Sequence, residues 1–431
     1  MNENDHIRDL LVRGVAAAKA KETNEARFYL KWLLEMQPAP DLRVEALIWL
    51  AELSADANDK RKWIEEALAY NPADMRSRRI LAILNGLLLP EQIMDPDQIQ
   101  HPYAAPEPQK ASADRFVCPQ CGGRMTFTPD GKDLSCEYCE ARGSNLRLQT
   151  TQQAVAAENF LIAMATGKGH LHPVNRQSFI CQGCAAEFIL AAEEISSTCP
   201  YCASVYVIKN STVREQISPH LIFPFEINAT EAHAALQHWL KLARLTQNGN
   251  LVIERGSGIY LPAWSFEMAG QVPWTGMVEE SRNRWVAQAG NEIVYHTSVL
   301  VPAGNRLCSD CTDELHCFNL QQAVTYEESY LANWPAETYT VTLGDASLEA
   351  RRWTYEFEKQ SVRDRFLQPV RDLGFHSTGI TIESFRLVLL PLWLFYYQVD
   401  KERFQVVING VSGLARGQRP LNWLERWIKR T

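Results

Sequence analysis

Apolar residues in the first 90 positions recur with the period of an α-helix. Two of these segments, residues 24–38 and 58–72, align along their whole length, with Pro38 opposite Pro72. Asn24 and Asn58 begin the two segments and a proline closes each, and residues of these types mark the ends of helices. The pattern therefore predicts two equivalent helices that start with asparagine caps.

Further amphipathic helices are predicted at residues 10–21, 42–55 and 73–88. The offset between the two aligned segments matches the period of the tetratricopeptide repeat, about 34 residues, so the helix pairs resemble that family. Its stacked pairs form a groove for a peptide or a partner helix. The resemblance implies about two repeats and a capping helix in residues 5–90, with a protein partner bound through them. The alternative is a helical bundle that packs on the rest of the chain.

The pattern and the composition change several times after residue 90. We therefore expect a multidomain α+β protein. Its predicted parts are tetratricopeptide-like repeats (5–90), a linker rich in proline, alanine and glutamine (91–114), a first zinc ribbon (115–148), a connecting helix (149–177), a second zinc ribbon (178–209) and an α+β domain (215–431).

Alternating apolar and polar residues predict antiparallel hairpins in the C-terminal part, together with helices at 229–246 and 348–368. The longest apolar run, residues 387–397, is too short to span a membrane, which takes about 20 residues, and it predicts a buried strand. The motif LPAWSF at 261–266 recurs as LPLWLF at 390–395. This recurrence indicates an internal repeat within the α+β domain.

Eight of the 11 cysteines form four Cys-x-x-Cys pairs, and 14 residues separate the two pairs of each ribbon. The pairs are Cys118 and Cys121, Cys136 and Cys139, Cys181 and Cys184, and Cys199 and Cys202. A turn with two residues between thiolates aims both sulfurs at one ion, and two such turns complete a tetrahedral zinc site. We therefore expect two structural Zn²⁺ ions, because a closed set of four thiolates leaves no position for water.

Two other uses of these cysteines are possible. Disulfides suit an exported chain, but the polar N-terminus lacks the apolar core of a signal peptide, and we expect a soluble, cytoplasmic protein with no transmembrane segment. A thioredoxin-like redox motif requires a βαβ setting, which neither segment predicts. The spacing of the cysteines and the expected cytoplasmic location together favour zinc binding over these two uses.

The last three cysteines, Cys308, Cys311 and Cys317, lie close together beside His316. Cys308 and Cys311 could hold a third metal ion with either His316 or Cys317 as a further ligand. His316 and Cys317 are adjacent, so both reach one ion only awkwardly, and a well-spaced fourth ligand is missing. The alternative is three reduced thiols near the start of a short helix.

Three stretches of the C-terminal half resemble the bacterial TFIIB-type zinc-ribbon-containing proteins. They are IYLPAWSF (259–266), VTYEESYLANWPAETY (324–339) and LLPLWLFYYQVDKERFQVVINGVSGLARGQRP (389–420), and they follow a four-cysteine ribbon. The resemblance covers about residues 178–420 and implies a zinc-binding protein, often beside membrane-associated partners. The helical N-terminus, the second ribbon and the lack of a transmembrane tail depart from many members of that family.

Composition and charge narrow the function. The chain is 46% hydrophobic and 22% charged, which excludes a disordered protein, and its net charge of −8 disfavours general binding to nucleic acid. No phosphate loop, Gly-x-Ser-x-Gly or His-Glu-x-x-His motif is present. We therefore expect a protein-interaction scaffold and not an enzyme.

Two alternatives remain open at this point. Zinc ribbons commonly serve transcription and replication, so an accessory protein that binds nucleic acid is the first. An enzyme with an open metal site at Cys308, Cys311 and His316 is the second, and a third zinc ion per chain would favour it.

Overall fold

The computed structural model of this chain describes residues 3–94, 157–171 and most of 217–420. In the two intervening stretches, up to residue 209, it describes little beyond short strands. Of the eight cysteines predicted to bind zinc, Cys136 lies in a described strand, and the others lie outside the described residues. The predicted metal geometry of both ribbons therefore lies outside them as well.

The N-terminal part is helical, as the periodicity predicts. Its elements are α1 (Glu3–Lys19), α2 (Thr23–Glu35), α3 (Pro40–Glu52), α4 (Ala57–Tyr70), α5 (Met75–Leu84) and a short 3-10 helix (Pro90–Gln92). The helices bury apolar faces against their neighbours, with Leu30, Leu47 and Ile64 fully enclosed. The first residues of α2 and α4, Thr23 and Ala57, keep the register of the two aligned segments.

The asparagines predicted to cap two of these helices do not cap them. Asn24 lies inside α2, whose N-cap residue Glu22 makes no side-chain capping bond. At α4 the cap is Asp56, whose carboxylate accepts hydrogen bonds from the backbone N–H groups of Asn58 (3.1 Å) and Asp59 (3.0 Å). Aspartate caps a helix as well as asparagine does, and Asp56 comes first along the chain.

Short strands occupy the described parts of the region between the helices and the α+β domain. They are β1 (Gln109–Asp114), β2 (Met125–Phe127), β3 (Leu134–Cys136), β4 (Glu158–Asn159), β5 (Arg176–Ile180), β6 (Glu187–Ala191), β7 (Glu194–Thr198) and β8 (Val205–Lys209). β2 pairs with β3, β5 with β6, and β7 with β8, all antiparallel.

The end of the predicted linker is a strand. β1 covers its last six residues and pairs with β5 and β8. The partners are far away in sequence, as the pairing of Gln109 with Gln177 shows. Pairing over such a distance leaves no local pattern, so the sequence does not indicate this strand.

The C-terminal part combines long strands with two helices. Its strands are β9 (Leu221–Ile222), β10 (Val252–Ile253), β11 (Ser257–Ser281), β12 (Arg284–Pro302), β13 (Val324–Thr325), β14 (Ala336–Glu337), β15 (Val370–Phe375), β16 (Gly379–Val399), β17 (Glu402–Asn409) and β18 (Ala415–Gly417). Its α-helices are α7 (Ala229–Leu242) and α8 (Leu343–Arg365), and 3-10 helices cover Ser309–Cys317, Leu320–Gln322 and Glu328–Leu331.

The predictions for this part are largely confirmed. Both helices are present, and the apolar run at 387–397 lies within β16 as a buried strand. The expected antiparallel hairpins are β11 with β12 and β16 with β17. Parallel pairs also occur, between β9 and β16 and between β14 and β11, so the sheet is mixed.

The connecting helix is shorter than predicted. The described helix, α6 (Phe160–Ala165), begins after β4, and Asn159 caps it by accepting a hydrogen bond from the backbone N–H of Ile162 (3.0 Å). β4 pairs with β16, so Glu158 and Asn159 join the sheet instead of the helix. The predicted start of the helix at residue 150 lies outside the described residues.

The two copies of the repeated motif pair with each other. β11 and β16 run antiparallel, and Leu261, the first residue of LPAWSF, lies opposite Leu390, the first residue of LPLWLF. Equivalent residues that face each other in an antiparallel pair lie on a local two-fold axis. The internal repeat predicted from sequence therefore corresponds to a structural duplication about this axis.

The duplication extends well beyond the motif. β9 pairs parallel with β16 through Ile222 and Leu389, and β14 pairs parallel with β11 through Ala336 and Tyr260. Tyr260 and Leu389 each precede the motif by one residue, so the two pairings are equivalent. Each copy therefore consists of a short strand, a helix, and a long strand that returns as a hairpin.

Each copy places its helix on the other copy. The indole N–H of Trp264 donates to the carbonyl of Val341 (2.9 Å), the residue before Thr342, which caps α8. The indole N–H of Trp393 donates to the carbonyl of Ile227 (3.0 Å), which holds the same place before α7. Two buried tryptophans of the repeated motif therefore fasten the two copies reciprocally.

Aromatic packing follows the same symmetry. The ring of Tyr339 lies 5.0 Å from that of Trp264, and the ring of Phe225 lies 5.7 Å from that of Trp393. Phe225 and Tyr339 precede the two helix caps by three residues each. Both helices therefore cover one face of the sheet through corresponding contacts.

The opposite face of the sheet is covered by irregular structure. Leu261 and Leu390 point to this face, where they form one apolar cluster with Cys311, Leu315 and Phe318 from the 3-10 segment and its end. The central strands are thus buried on both faces, which explains why their sequences are almost continuously apolar.

Candidate functional site

Two of the cysteines in the predicted third metal site form a disulfide. Cys308 and Cys311 are bonded through their sulfurs, with their Cα atoms 5.1 Å apart, because the 3-10 helix brings residues with this spacing close together. Cys311 is fully buried, and the backbone N–H of Cys308 donates to the side-chain carbonyl of Gln405 (2.8 Å). The structure therefore does not contain the three reduced thiols of the alternative, because two of these cysteines are bonded to each other.

The disulfide decides whether Cys308 and Cys311 can act as the zinc ligands predicted for the third site. Sulfurs bonded to each other carry no thiolate charge, so Cys308 and Cys311 bind no zinc in this form. Cys317 is exposed at the end of the segment, and His316 lies just before it. Within the described residues, no group of three or more His, Cys, Asp or Glu side chains is placed to hold a metal ion. A third metal site at these residues stays a prediction for the reduced chain.

An aromatic patch lies on the outer face of α2. The helix buries Ala26, Leu30 and Leu33, which leaves Phe28 and Trp32 on the other side, one turn apart. Phe28 is 61% exposed and Trp32 is 40% exposed, with their rings 5.8 Å apart.

The patch borders a shallow cavity of about 420 Å³, which Lys31 and Glu35 also line. The ring of His6 on α1 extends the patch, at 5.6 Å from Trp32. In the second of the two aligned segments, the positions of Phe28 and Trp32 are held by Lys62 and Glu66. The aromatic residues are therefore no requirement of the helical packing.

An ion pair attaches the N-terminal helices α1 to α5, called the helical stack from here on, to the sheet. The guanidinium of Arg78 on α5 donates two hydrogen bonds to the carboxylate of Glu383 on β16, at 2.7 and 3.0 Å, and the hydroxyl of Thr381 lies 2.8 Å from the same carboxylate. Burial raises the pKa of Glu383, but the hydrogen bonds from Arg78 and Thr381 outweigh it, so the pKa lies below its ordinary value.

Apolar packing supports this attachment. Ala82 and Leu88, in and just after α5, form one cluster with Leu161 and Ala165 of α6. α6 in turn packs on the sheet through Phe160, which belongs to the cluster around Trp264. The stack, α6 and the sheet therefore form a continuous packed structure.

A second polar cluster holds β4 on the sheet. The Nε2 atom of His220 donates to the carboxylate of Glu158 (2.9 Å), and its Nδ1 atom accepts from the backbone N–H of Leu387 (2.9 Å). These partners define the neutral Nε2–H tautomer. Burial raises the pKa of Glu158, but the hydrogen bonds from Lys168 and His220 hold it below its ordinary value.

Local sequence patterns do not predict the contact of Arg78 with Glu383, but they do mark the aromatic patch. Arg78 and Glu383 are 305 positions apart, and no local pattern connects them. The aromatic patch did leave a signal, because Phe28 and Trp32 are aromatic where the second aligned segment has charged residues. This difference between the two segments marks the patch.

Among the helices of the described residues, none combines the length and the apolar composition that a membrane span requires. No protein-family model matches the chain, and no solved structure matches it. A protein of Bacillus subtilis (strain 168), known as the uncharacterized protein YdjG, is 23% identical over 325 residues. The match covers 71% of this chain and 90% of that protein, which is more than any one of the predicted parts.

Replacing the charged acceptor in Glu383→Gln is expected to weaken the attachment of the stack. The pKa of Glu383 is lowered by folding, so the pair stabilises the fold above the unfolded-state pKa, and this stabilisation is lost as the pH falls through the folded-state pKa. Because Glu383 is 41% exposed, solvent screening limits the loss to about 0.5–1 kcal/mol at neutral pH. Urea unfolding at neutral pH and at about pH 3 measures it.

The matched control is Glu349→Gln, which removes an exposed ion pair to Arg352 within α8. The control should change the unfolding free energy by less than Glu383→Gln does. An effect of Glu383→Gln that is as large in acid as at neutral pH would contradict the role of the charge.

Proposed function

We propose that this protein is a zinc-binding scaffold for protein–protein interaction, with structural four-cysteine zinc ribbons and no catalytic site of its own. The observation that carries the proposal is the aromatic patch of Phe28 and Trp32 on α2. Exposed aromatic residues beside a cavity are typical anchors of protein interfaces. The partner in this proposal is a protein that inserts an apolar side chain between these rings.

The arrangement of the helices supports the choice of a protein partner. α2 and α4 begin at equivalent positions of the two aligned segments, and α1 and α3 precede them as the first helices of two pairs. This order and period resemble those of tetratricopeptide repeats, whose stacks bind peptides or partner helices, and the resemblance supports the proposal. In our proposal the stack supplies the binding surface, and α5 is its capping helix.

The positions of the short strands support the proposed zinc sites. In sequence, Cys181 and Cys184 fall between β5 and β6, and Cys199 and Cys202 fall between β7 and β8. In sequence, each Cys-x-x-Cys pair of this ribbon thus falls in the connection between two antiparallel strands, and this order supports a zinc ribbon.

The first ribbon contains a hairpin of its own, but there the cysteines outside the two strands lie beside them in sequence and not between them. In it, β2 pairs with β3 through Met125 and Cys136. The remaining cysteines of that ribbon, Cys118, Cys121 and Cys139, flank these two strands in sequence. The proposed role of both ions is to hold short strands that could not bury a core of their own.

Zinc content tests the metal part of the proposal. Protein purified under reducing conditions is expected to contain about two zinc ions per chain by elemental analysis. Cys118→Ser and Cys199→Ser should each lose one ion, whereas Cys308→Ser should lose none. Helicity measured by circular dichroism should persist in all three variants, because the helical stack has its own core.

Zinc contents other than two ions per chain would favour other functions or contradict the ribbons. A third ion that Cys308→Ser removes would revive the metal site at Cys308 and Cys311, and with it the enzymatic alternative. A metal-free protein that is fully folded would contradict the proposed ribbons.

Substitution of the aromatic patch tests the scaffold itself. The double variant Phe28→Ala/Trp32→Ala is expected to fold, because both side chains lie largely outside the core, and to lose at least about tenfold in affinity for a protein partner. The measurement is affinity capture from native lysate after nuclease treatment, followed by titration of the recovered partner against each variant.

The matched control is Leu242→Ala/Leu348→Ala, which removes two exposed apolar side chains from α7 and α8. The control should retain the partner. Equal binding by the patch variant would contradict the proposed surface. Recovery of nucleic acid, lost on nuclease treatment, would favour the alternative function in which the ribbons bind nucleic acid.

A further inference from the structure

A cavity of about 450 Å³ lies where the helical stack meets the α+β domain. Its lining comes from three elements that lie far apart in sequence. Ala73 lies just before α5 and Met75 begins it, Arg351 and Tyr355 come from α8, and Ile380 and Thr381 come from the start of β16. This volume falls in the range of pockets that hold small organic ligands, roughly 300–1,000 Å³.

One cation that lines the cavity has no counterion among the described residues. Arg351 is half-buried, and its Nε atom is enclosed without a hydrogen-bond partner among the described residues. Burial lowers the pKa of Arg351, and no carboxylate in the described part of the chain opposes this effect. A partly buried guanidinium without a carboxylate partner is destabilising, so an anion in the cavity would stabilise it.

The arginines near Arg351 do have partners. Arg352, which also lines the cavity, pairs with Glu349 at 2.6 Å, and Arg78 pairs with Glu383. The carboxylates of Glu349 and Glu383 are thus engaged by these other guanidinium groups. The cavity as a whole carries an excess of positive charge.

We propose that this cavity binds a small organic oxyanion whose phosphate or carboxylate group pairs with Arg351. A guanidinium donates two parallel hydrogen bonds to either group, and that of Arg351 lines the cavity. Met75 and Ile380 offer apolar contact to the body of the ligand. The inference stands on this junction alone and does not rest on the proposed function.

A ligand in this cavity affects how firmly the helical stack is attached to the α+β domain. Because its walls come from both the helical stack and the α+β domain, a bound ligand contacts both at once. A ligand that binds only the attached arrangement stabilises it by mass action. The oxyanion is thus a stabiliser of the junction between the two parts.

Calorimetric titration of the full chain tests the proposal with phenyl phosphate and benzoate as oxyanion probes and phenol as the neutral control. At least one oxyanion is expected to bind, and phenol is expected not to bind. Arg351→Gln should weaken the binding by at least about tenfold, since hydrogen bonds to charged groups are the stronger ones. The relative affinities of phenyl phosphate and benzoate show whether the cavity prefers a phosphate or a carboxylate group.

Two further variants complete the test. Arg284→Gln alters an exposed arginine at the far end of β12 and should leave binding unchanged. Ala73→Phe should fill the cavity from the side of the stack and abolish binding with Arg351 intact, which keeps the test valid if Arg351→Gln fails to fold. Absence of binding by both oxyanions, or equal weakening by Arg284→Gln, would overturn the proposal.

Discussion

The antiparallel pairing of β11 with β16 sets each tryptophan of the repeated motif against the helix of the other copy. Trp264 is fully buried beside Tyr339 and Trp393 is nearly so beside Phe225, and each indole donates to the residue before a helix cap. An aromatic side chain of this size contributes much of the burial energy of a core. Because each helix covers strands of the other copy, neither copy encloses its own core, and the two must fold together.

The same strand pair also positions the junction between the helical stack and the sheet. β16 begins with Ile380, Thr381 and Glu383, which line the cavity or hold Arg78, and it then continues into the buried core. A rigid strand places these side chains accurately, in the way that sites built on regular elements are held. The position of the helical stack, the junction cavity and the duplicated core therefore all depend on one strand.

Much of this architecture could be predicted from sequence, and the rest could not for physical reasons. The helices at 24–38 and 58–72 and the strand at 387–397 follow from local periodicity, which is a property of each segment alone. The two-fold relation was visible only in LPAWSF and LPLWLF, because Phe225 and Tyr339 correspond in role without being identical. The contact of Arg78 with Glu383 joins distant segments, and the ribbon cysteines remain a prediction from their spacing.

Hydrogen exchange of the native protein tests the reciprocal duplication most directly. We expect slow amides of α7 and α8 to open with the same free energy. Trp264→Phe should lower both by a similar amount, about 0.5–1.5 kcal/mol, because the carbonyl of Val341 loses its donor. Trp264 packs beside α8, so a loss of protection in α7 reports the coupling of the two copies. A loss confined to α8 and β11, with α7 unchanged, would contradict the account.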